Sequence, residues 1–189
     1  MNKVINVLVI TFVALVVAAA QAESQSKQPR YPNELPNLKL YQDAKWNALK
    51  PYISTFDDGV KLLGEPVRAF DDRLHRSDWG YDYDPDWTIF VDILGSDPDL
   101  TDAVRGRVLH VYLNPKKRIS VVGADFSAFR AYSYTDSRDP NVGGTVYYDR
   151  FGLRYSVYAK DTPDGRFHTG DLESIIYGPS DEETARYRK

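Results

Sequence analysis

Apolar and polar residues alternate along several short segments of this chain, a pattern typical of β-strands that bury one face. The two clearest segments are 87–94 (WTIFVDIL) and 108–115 (VLHVYLNP). Their predicted buried faces consist of Trp87, Ile89, Val91 and Ile93, and of Leu109, Val111 and Leu113. The same alternation places His110 on the solvent-facing side of its strand. Further strands are predicted over 67–74 and, after a hairpin turn at 149–152 (DRFG), along Leu153, Tyr155 and Val157.

Residues 54–66 (STFDDGVKLLGEP) predict a short helix that contains its own start and stop signals. Thr55 can cap the first turn, and Asp58 can reach back in a carboxylate version of the capping box. One face of this helix is apolar and holds Phe56, Val60 and Leu63. Gly64 suits a left-handed turn and Pro66 prevents continuation. A helix this short needs packing against other elements. A second short helix is predicted over 38–51, ending at Pro51.

A weak internal repeat runs through these segments. Gly106, Val108, Val111 and Pro115 match Gly170, Leu172, Ile175 and Pro179 at a constant offset, 170 − 106 = 64 residues. The preceding strands match at 153 − 87 = 66 residues, and the second copy lacks a convincing helix. Strand alternation alone would produce part of this match; the other interpretation is an incomplete tandem repeat of 54–115 and 120–179. The predicted fold is α+β, with one or two short helices packed on a mostly antiparallel sheet of about six strands.

The N-terminal segment has the pattern of an export signal. A positive start at Lys3 precedes an apolar run over 4–17 and the small-residue pattern Ala20-Gln21-Ala22. We expect a signal peptide over 1–22, cleaved after Ala22, which leaves 189 − 22 = 167 residues. The alternative is an uncleaved membrane anchor. A disordered leader is expected over 23–36, a single α+β domain over 37–179 and a flexible tail over 180–189. The predicted location is the periplasm or the extracellular space, with no transmembrane segment after cleavage.

Composition narrows the function classes. The chain contains no cysteine, which excludes disulfides, thiol nucleophiles and cysteine-based zinc sites. Its formal net charge is −3 and no basic face for nucleic acid is visible. It has 14 Tyr and 3 Trp, which either fill a β core or offer a binding surface.

The segment TFDDGVKLLGEP, followed by strands and VLHVYLNP, resembles the helix-to-strand unit of the BamE/SmpA-like exported bacterial proteins and the wider β-lactamase-inhibitor-protein-like fold. The similarity covers roughly Ser54 to Pro179. It implies a helix-on-sheet scaffold that works by contact. This chain lacks the acylated cysteine of the lipoproteins, and the second copy of the repeat has no predicted helix.

Catalytic and metal-binding motifs are not evident in the sequence. His75, His110 and His168 do not have the spacing of a zinc site. Asp82, Asp84 and Asp86 alternate like the start of a calcium loop, but Trp87 and Ile93 stand where that loop needs Gly and Glu. We therefore predict no catalytic residue, metal or cofactor.

The densest aromatic cluster of the sequence is the candidate binding site. Trp79, Tyr81, Tyr83 and Trp87 are odd-numbered and can share one face of a hairpin, with Asp82 and Asp86 at its rim. The alternative is that the helix covers this stripe. The preferred function is a non-catalytic exported protein that binds another protein of the cell envelope. One alternative is a carbohydrate-binding module that uses Trp79, Tyr81 and Trp87. Another alternative is a hydrolase with an Asp-based site. Substitution of Asp82 or Asp86 by Asn would test it.

Overall fold

A single antiparallel sheet organises the part of the chain that can be described. The computed structural model describes residues 48–72, 76–82, 85–95, 97–135 and 143–189, and of 68–79 and 82 only the backbone. The predicted signal peptide 1–22, the leader 23–36 and most of the predicted helix 38–51 lie outside these residues. The described residues all belong to one compact unit, Tyr31–Lys189.

Two α-helices and eight strands lie within the described residues of this unit. The helices are α1 (Phe56–Leu63) and α2 (Asp181–Tyr187). The strands are β1 (Arg68–Asp72), β2 (Arg76–Asp82), β3 (Trp87–Leu94), β4 (Val108–Pro115), β5 (Arg130–Thr135), β6 (Gly143–Tyr148), β7 (Leu153–Tyr158) and β8 (Leu172–Tyr177). The mixed, mostly sheet fold is confirmed, but the sheet has eight strands where about six were predicted.

The strand order is β1-β2-β3-β4-β8-β7-β6-β5. Each half of the chain forms a four-stranded antiparallel meander, and the last strand of each meander, β4 and β8, lies at the centre of the sheet. Strands β1 and β5 form the two edges.

Helix α1 begins and ends where its local signals predict. The Thr55 hydroxyl accepts a hydrogen bond from the backbone N–H of Asp58, whose carboxylate accepts the Thr55 backbone N–H at 2.8 Å. The Thr55 N–H and the Thr55 hydroxyl, which both donate to this carboxylate, hold the pKa of Asp58 below its usual value. Gly64 ends the helix at φ 89°, a conformation that favours glycine. Phe56, Leu62 and Leu63 then pack against the core.

The core lies on one face of the sheet, here called the inner face. Ile89 on β3, Leu113 on β4, Ile175 on β8 and Tyr155 on β7 are all 0% exposed. A register shift between Asp92 and Ile93 pairs Ile93 with Val108. Val108 therefore belongs to this core, whereas Leu109, expected there, packs in a separate cluster with Leu94, Leu100 and Tyr52.

An irregular segment, residues 116–129, covers the inner face of the second meander where a second helix would stand. All of these residues are described and none is helical. Phe126 and Phe129 both make edge-on contacts with Tyr155, with ring centroids 5.5 Å apart. Rings from an ordered loop thus replace a helix.

The expectation of a flexible tail over 180–189 is wrong. The Ser180 hydroxyl accepts the backbone N–H of Glu183, and the Glu183 carboxylate accepts the Ser180 N–H, so α2 has a complete capping box. Tyr187 then packs edge-on against Tyr52 with ring centroids 5.3 Å apart. The segment folds because it adds to the smaller apolar cluster around Leu100 and Val104.

Among the described residues, none of the helices has the length and apolar character needed to cross a membrane.

Candidate binding face

The predicted aromatic stripe contributes to the core. Tyr81 is 4% exposed and Trp87 is 3% exposed. Helix α1 lies over the stripe, since a Cβ placed on its Gly59 would be 3.7 Å from the Tyr81 hydroxyl. The expectation that these two rings form a binding surface is therefore wrong: both are buried, and α1 covers Tyr81.

Of the remaining predicted site residues, Asp86 is the one whose side chain the structure describes. Asp86 is exposed and its carboxylate accepts a hydrogen bond from Lys117 Nζ at 2.7 Å. Tyr83 lies outside the described residues, as do the side chains of Trp79 and Asp82.

The opposite, outer face carries a continuous row of large side chains. Directly paired residues of neighbouring strands share a face. The register pairs Phe90 with Tyr112, Tyr112 with Ile176, Ile176 with Arg154, Arg154 with Tyr148, and Tyr148 with Arg130. We call these six residues the outer row. It spans six strands, from β3 through the centre of the sheet to the β5 edge.

The outer row is accessible where the inner face is not. Phe90, Tyr112, Ile176, Arg154 and Tyr148 are partly exposed and Arg130 is exposed. Next to the row on β5, Tyr132 is 50% exposed, and its ring centroid lies 5.7 Å from that of Tyr148. Aromatic and arginine side chains at the surface are the types that dominate protein interfaces.

The two arginines of the outer row have different surroundings. The Arg130 guanidinium lies over the Tyr148 ring, 4.8 Å from its centroid, and donates to Asp181 at 2.7 Å. This carboxylate raises the pKa of Arg130. Arg154 makes no hydrogen bond or ion pair with any described side chain. At the edge of the row, the guanidinium of Arg130 thus has a carboxylate partner. Near the centre of the row, the guanidinium of Arg154 has no partner among the described side chains.

A buried polar pair lies beside the outer row. His110 Nδ1 is 3.0 Å from Asp92 Oδ2, and Asp92 is 0% exposed. Because a carboxylate oxygen accepts, this contact places a hydrogen on Nδ1. The alternation correctly put His110 on the face opposite the core, but the expectation of a solvent-facing ring is wrong. The His110 side chain is 10% exposed because it packs over Gly178, where a Cβ would lie 2.5 Å from His110 Cδ2.

A second polar cluster stiffens the β5 edge. The hydroxyls of Tyr134 and Ser156 both donate to Glu173 Oε2. Burial and this carboxylate raise the pKa of Tyr134 well above its usual value. The Tyr134 ring reaches Glu173 by lying across Gly144, where a Cβ would be 2.7 Å from the ring.

Metal-binding geometry is not found within the described ranges, where no three acidic, histidine or cysteine side chains group to hold an ion. His168 and Asp161 form a pair in the loop before β8, at 3.1 Å from Nδ1 to Oδ2. The Asp161 carboxylate also accepts the Thr169 backbone N–H, which lowers its pKa. This pair closes a surface turn.

Sequence reasoning missed the outer row because its members are the outward positions of their strands. Tyr112 and Tyr148 occupy outward positions, where alternation usually places small polar residues. Large aromatic residues at such positions are the sequence signal that could have indicated the outer row. Their alignment depends on pairing between β4 and β8, which are remote in sequence.

The comparisons with known proteins leave the family open. No protein-family model matches the sequence, and no curated protein matches it significantly. One solved structure that is similar is a cysteine-rich secretory protein from Staphylococcus aureus, at 10% identity and a TM-score of 0.28. The match covers 71% of this chain and 50% of that chain, so this chain spans about half of the matched protein. Membership of the BamE/SmpA-like family stays a prediction.

Proposed function

We propose that this protein is a non-catalytic binding protein whose outer row contacts another protein. The observation that carries this proposal is the unbroken register of six large, partly exposed side chains across six strands. Such a row offers aromatic and arginine anchors. Because the anchors are carried by a hydrogen-bonded sheet, binding does not require the backbone to lose conformational freedom.

The size of the row favours a protein partner. Five inter-strand spacings of about 4.8 Å give a row about 24 Å long. The row therefore runs most of the way across a circular patch of about 800 Å², about 32 Å in diameter, which is the area that each partner contributes to a standard protein interface. The carbohydrate-binding alternative relied on Tyr81 and Trp87, which are buried.

We further propose an exported protein with an envelope partner, in line with the predicted signal peptide. The matching order of the two four-stranded meanders supports the proposal that 54–115 and 120–179 are a tandem repeat. In that interpretation the segment 116–129 is the remnant of the second helix.

The function is tested by affinity capture from an envelope extract with the full chain as bait. The bait variants are Tyr112→Ala and Tyr148→Ala, on the outer row. Ile53→Ser and Val122→Ser serve as controls, because these side chains are 62% and 78% exposed but lie outside the row. Circular dichroism checks that each variant is folded.

We expect one protein that wild type and both controls retain and both tyrosine variants lose, with binding weakened at least tenfold. Retention of the partner by the tyrosine variants contradicts the proposal. A Trp or Tyr fluorescence response to a glycan panel, with no protein captured, favours the carbohydrate alternative instead.

A further inference from the structure

The guanidinium of Arg154 occupies the middle of the outer row. Arg154 belongs to β7, which pairs with β6 on one side and β8 on the other. Its neighbours in the row are Ile176 and Tyr148, and it is partly buried between them. An arginine at this position is held by an interior strand and does not belong to the rim of the sheet.

Two other arginines beside the sheet have carboxylate partners. Arg130 binds Asp181, and Arg118 donates from Nε to the buried Asp171 at 2.7 Å. Within the described part of the chain no carboxylate pairs with Arg154. A partly desolvated guanidinium without an anion is unfavourable, and two parallel N–H···O bonds to a carboxylate would offset that cost.

The described neighbours of Arg154 include a glycine and a histidine ring. A Cβ on Gly178 would be 3.7 Å from Arg154 Nη2 and 2.5 Å from His110 Cδ2, so the guanidinium lies beside the His110 ring near the bare backbone at 178. Asp92, the acid next to that ring, is bound to His110 and its side chain is 1% exposed. A chain whose net charge is −3 therefore presents a local cation here.

We propose that Arg154 binds a carboxylate side chain, Asp or Glu, of the protein partner, with the flanking partner residues packed on Tyr112 and Tyr148. This inference rests on the proposed function and names the chemistry at the centre of its contact. A carboxylate is favoured over a phosphate because phosphate sites normally combine several arginines. A single planar guanidinium, by contrast, is enough to match both oxygens of one carboxylate.

The test is a nuclear magnetic resonance titration of the full chain that follows the Arg154 Nε–Hε signal and the amides of Ile176 and Tyr148. The probes are a blocked Phe-Glu-Phe tripeptide, the matched Phe-Gln-Phe tripeptide and inorganic phosphate. We expect the Glu peptide to shift these signals with at least fivefold higher affinity than the Gln peptide. Arg154→Gln should remove that preference, Arg154→Lys should keep part of it, and Arg130→Gln should leave it unchanged.

Equal shifts with both peptides overturn the carboxylate subsite while leaving the row as a contact surface. Stronger binding of phosphate than of the Glu peptide also overturns it, as does an unchanged preference in a folded Arg154→Gln variant. Capture by the Tyr112→Ala and Tyr148→Ala baits is read separately, so failure of the subsite and failure of the docking function are distinguishable.

Discussion

Phe126 lies flat on Tyr147, with ring centroids 4.1 Å apart and an interplanar angle of 11°. This stacking fixes the loop 116–129 to the inner face of β6. The loop is therefore a structural part of the core, and its rings should contribute to stability as buried helix residues do.

Replacing Phe126 with Ala should lower the free energy of unfolding by about 2–3 kcal/mol, because the change leaves a cavity over Tyr147 and Tyr155. Urea unfolding measures this. Val122→Ala in the same loop, at a side chain that is 78% exposed, should change the value by less than about 0.5 kcal/mol. Equal effects of the two changes would show that the loop does not pack as described.

Two glycines should respond to alanine with opposite sign. Gly59 lies within α1, and a Cβ there meets the Tyr81 hydroxyl at an ordinary 3.7 Å. Gly59→Ala should stabilise the protein by about 0.5–1 kcal/mol through helix propensity. At Gly178 a Cβ would lie 2.5 Å from the His110 ring, so Gly178→Ala should destabilise by about 1–3 kcal/mol. Thermal unfolding of both variants measures the difference, and two shifts of the same sign would argue against this packing.

Asp171 should make stability depend on pH in the acid range. Burial alone would raise its pKa, but hydrogen bonds from the Arg118 guanidinium and the His168 backbone N–H lower the pKa below its ordinary value of 3.8. A depressed pKa gives stability that is present above pH 3.8 and lost as pH falls through the folded-state pKa.

Asp171→Asn should therefore be less stable than wild type by about 1.5–3 kcal/mol at pH 7, and the gap should narrow as pH falls below about 4. Urea unfolding from pH 7 to pH 2.5 measures it. Asp86→Asn is the control, since its exposed pair with Lys117 should contribute less than about 1 kcal/mol. A gap that stays constant with pH would contradict this role of Asp171.

Tyr134→Phe should lower stability by about 1–2 kcal/mol, since it removes one of the two hydroxyls that donate to Glu173. Tyr132→Phe, at the exposed neighbouring tyrosine of the same strand, is the matched control and should be nearly neutral. Hydrogen exchange at β5 amides should quicken in the first variant only. Unchanged exchange would mean that the Glu173 cluster does not hold the edge strand.

Local signals in the sequence predicted local structure well. The Thr55 and Asp58 caps, the turn at Gly64 and the hairpin turn before Leu153 depend on residues a few positions apart, and all are present; Gly152 has φ 93°. The Ser180 and Glu183 capping box is equally visible in the sequence, yet it did not suffice to predict α2. Without an apolar stripe, that helix depends on tertiary packing that no short window shows.

Long-range pairing limited the prediction of the candidate site. Strand β5 is exposed at most positions, so its sequence lacks the alternation that marks a buried strand. The covered stripe at Tyr81 and the exposed row through Tyr112 look alike in composition. The aromatic face that α1 covers becomes part of the core, and the other face stays at the surface. The choice between the two faces depends on the packing of the whole sheet.

The two meanders meet along a short seam. Within the described strands, three residue pairs join β4 to β8, whereas seven join β3 to β4. Val111, Leu113 and Ile175, nearly all their surface hidden, hold that seam from the inner face. Side-chain packing therefore contributes more of the contact at this seam than at the β3–β4 pair, and we expect β4 to separate from β8 before it separates from β3.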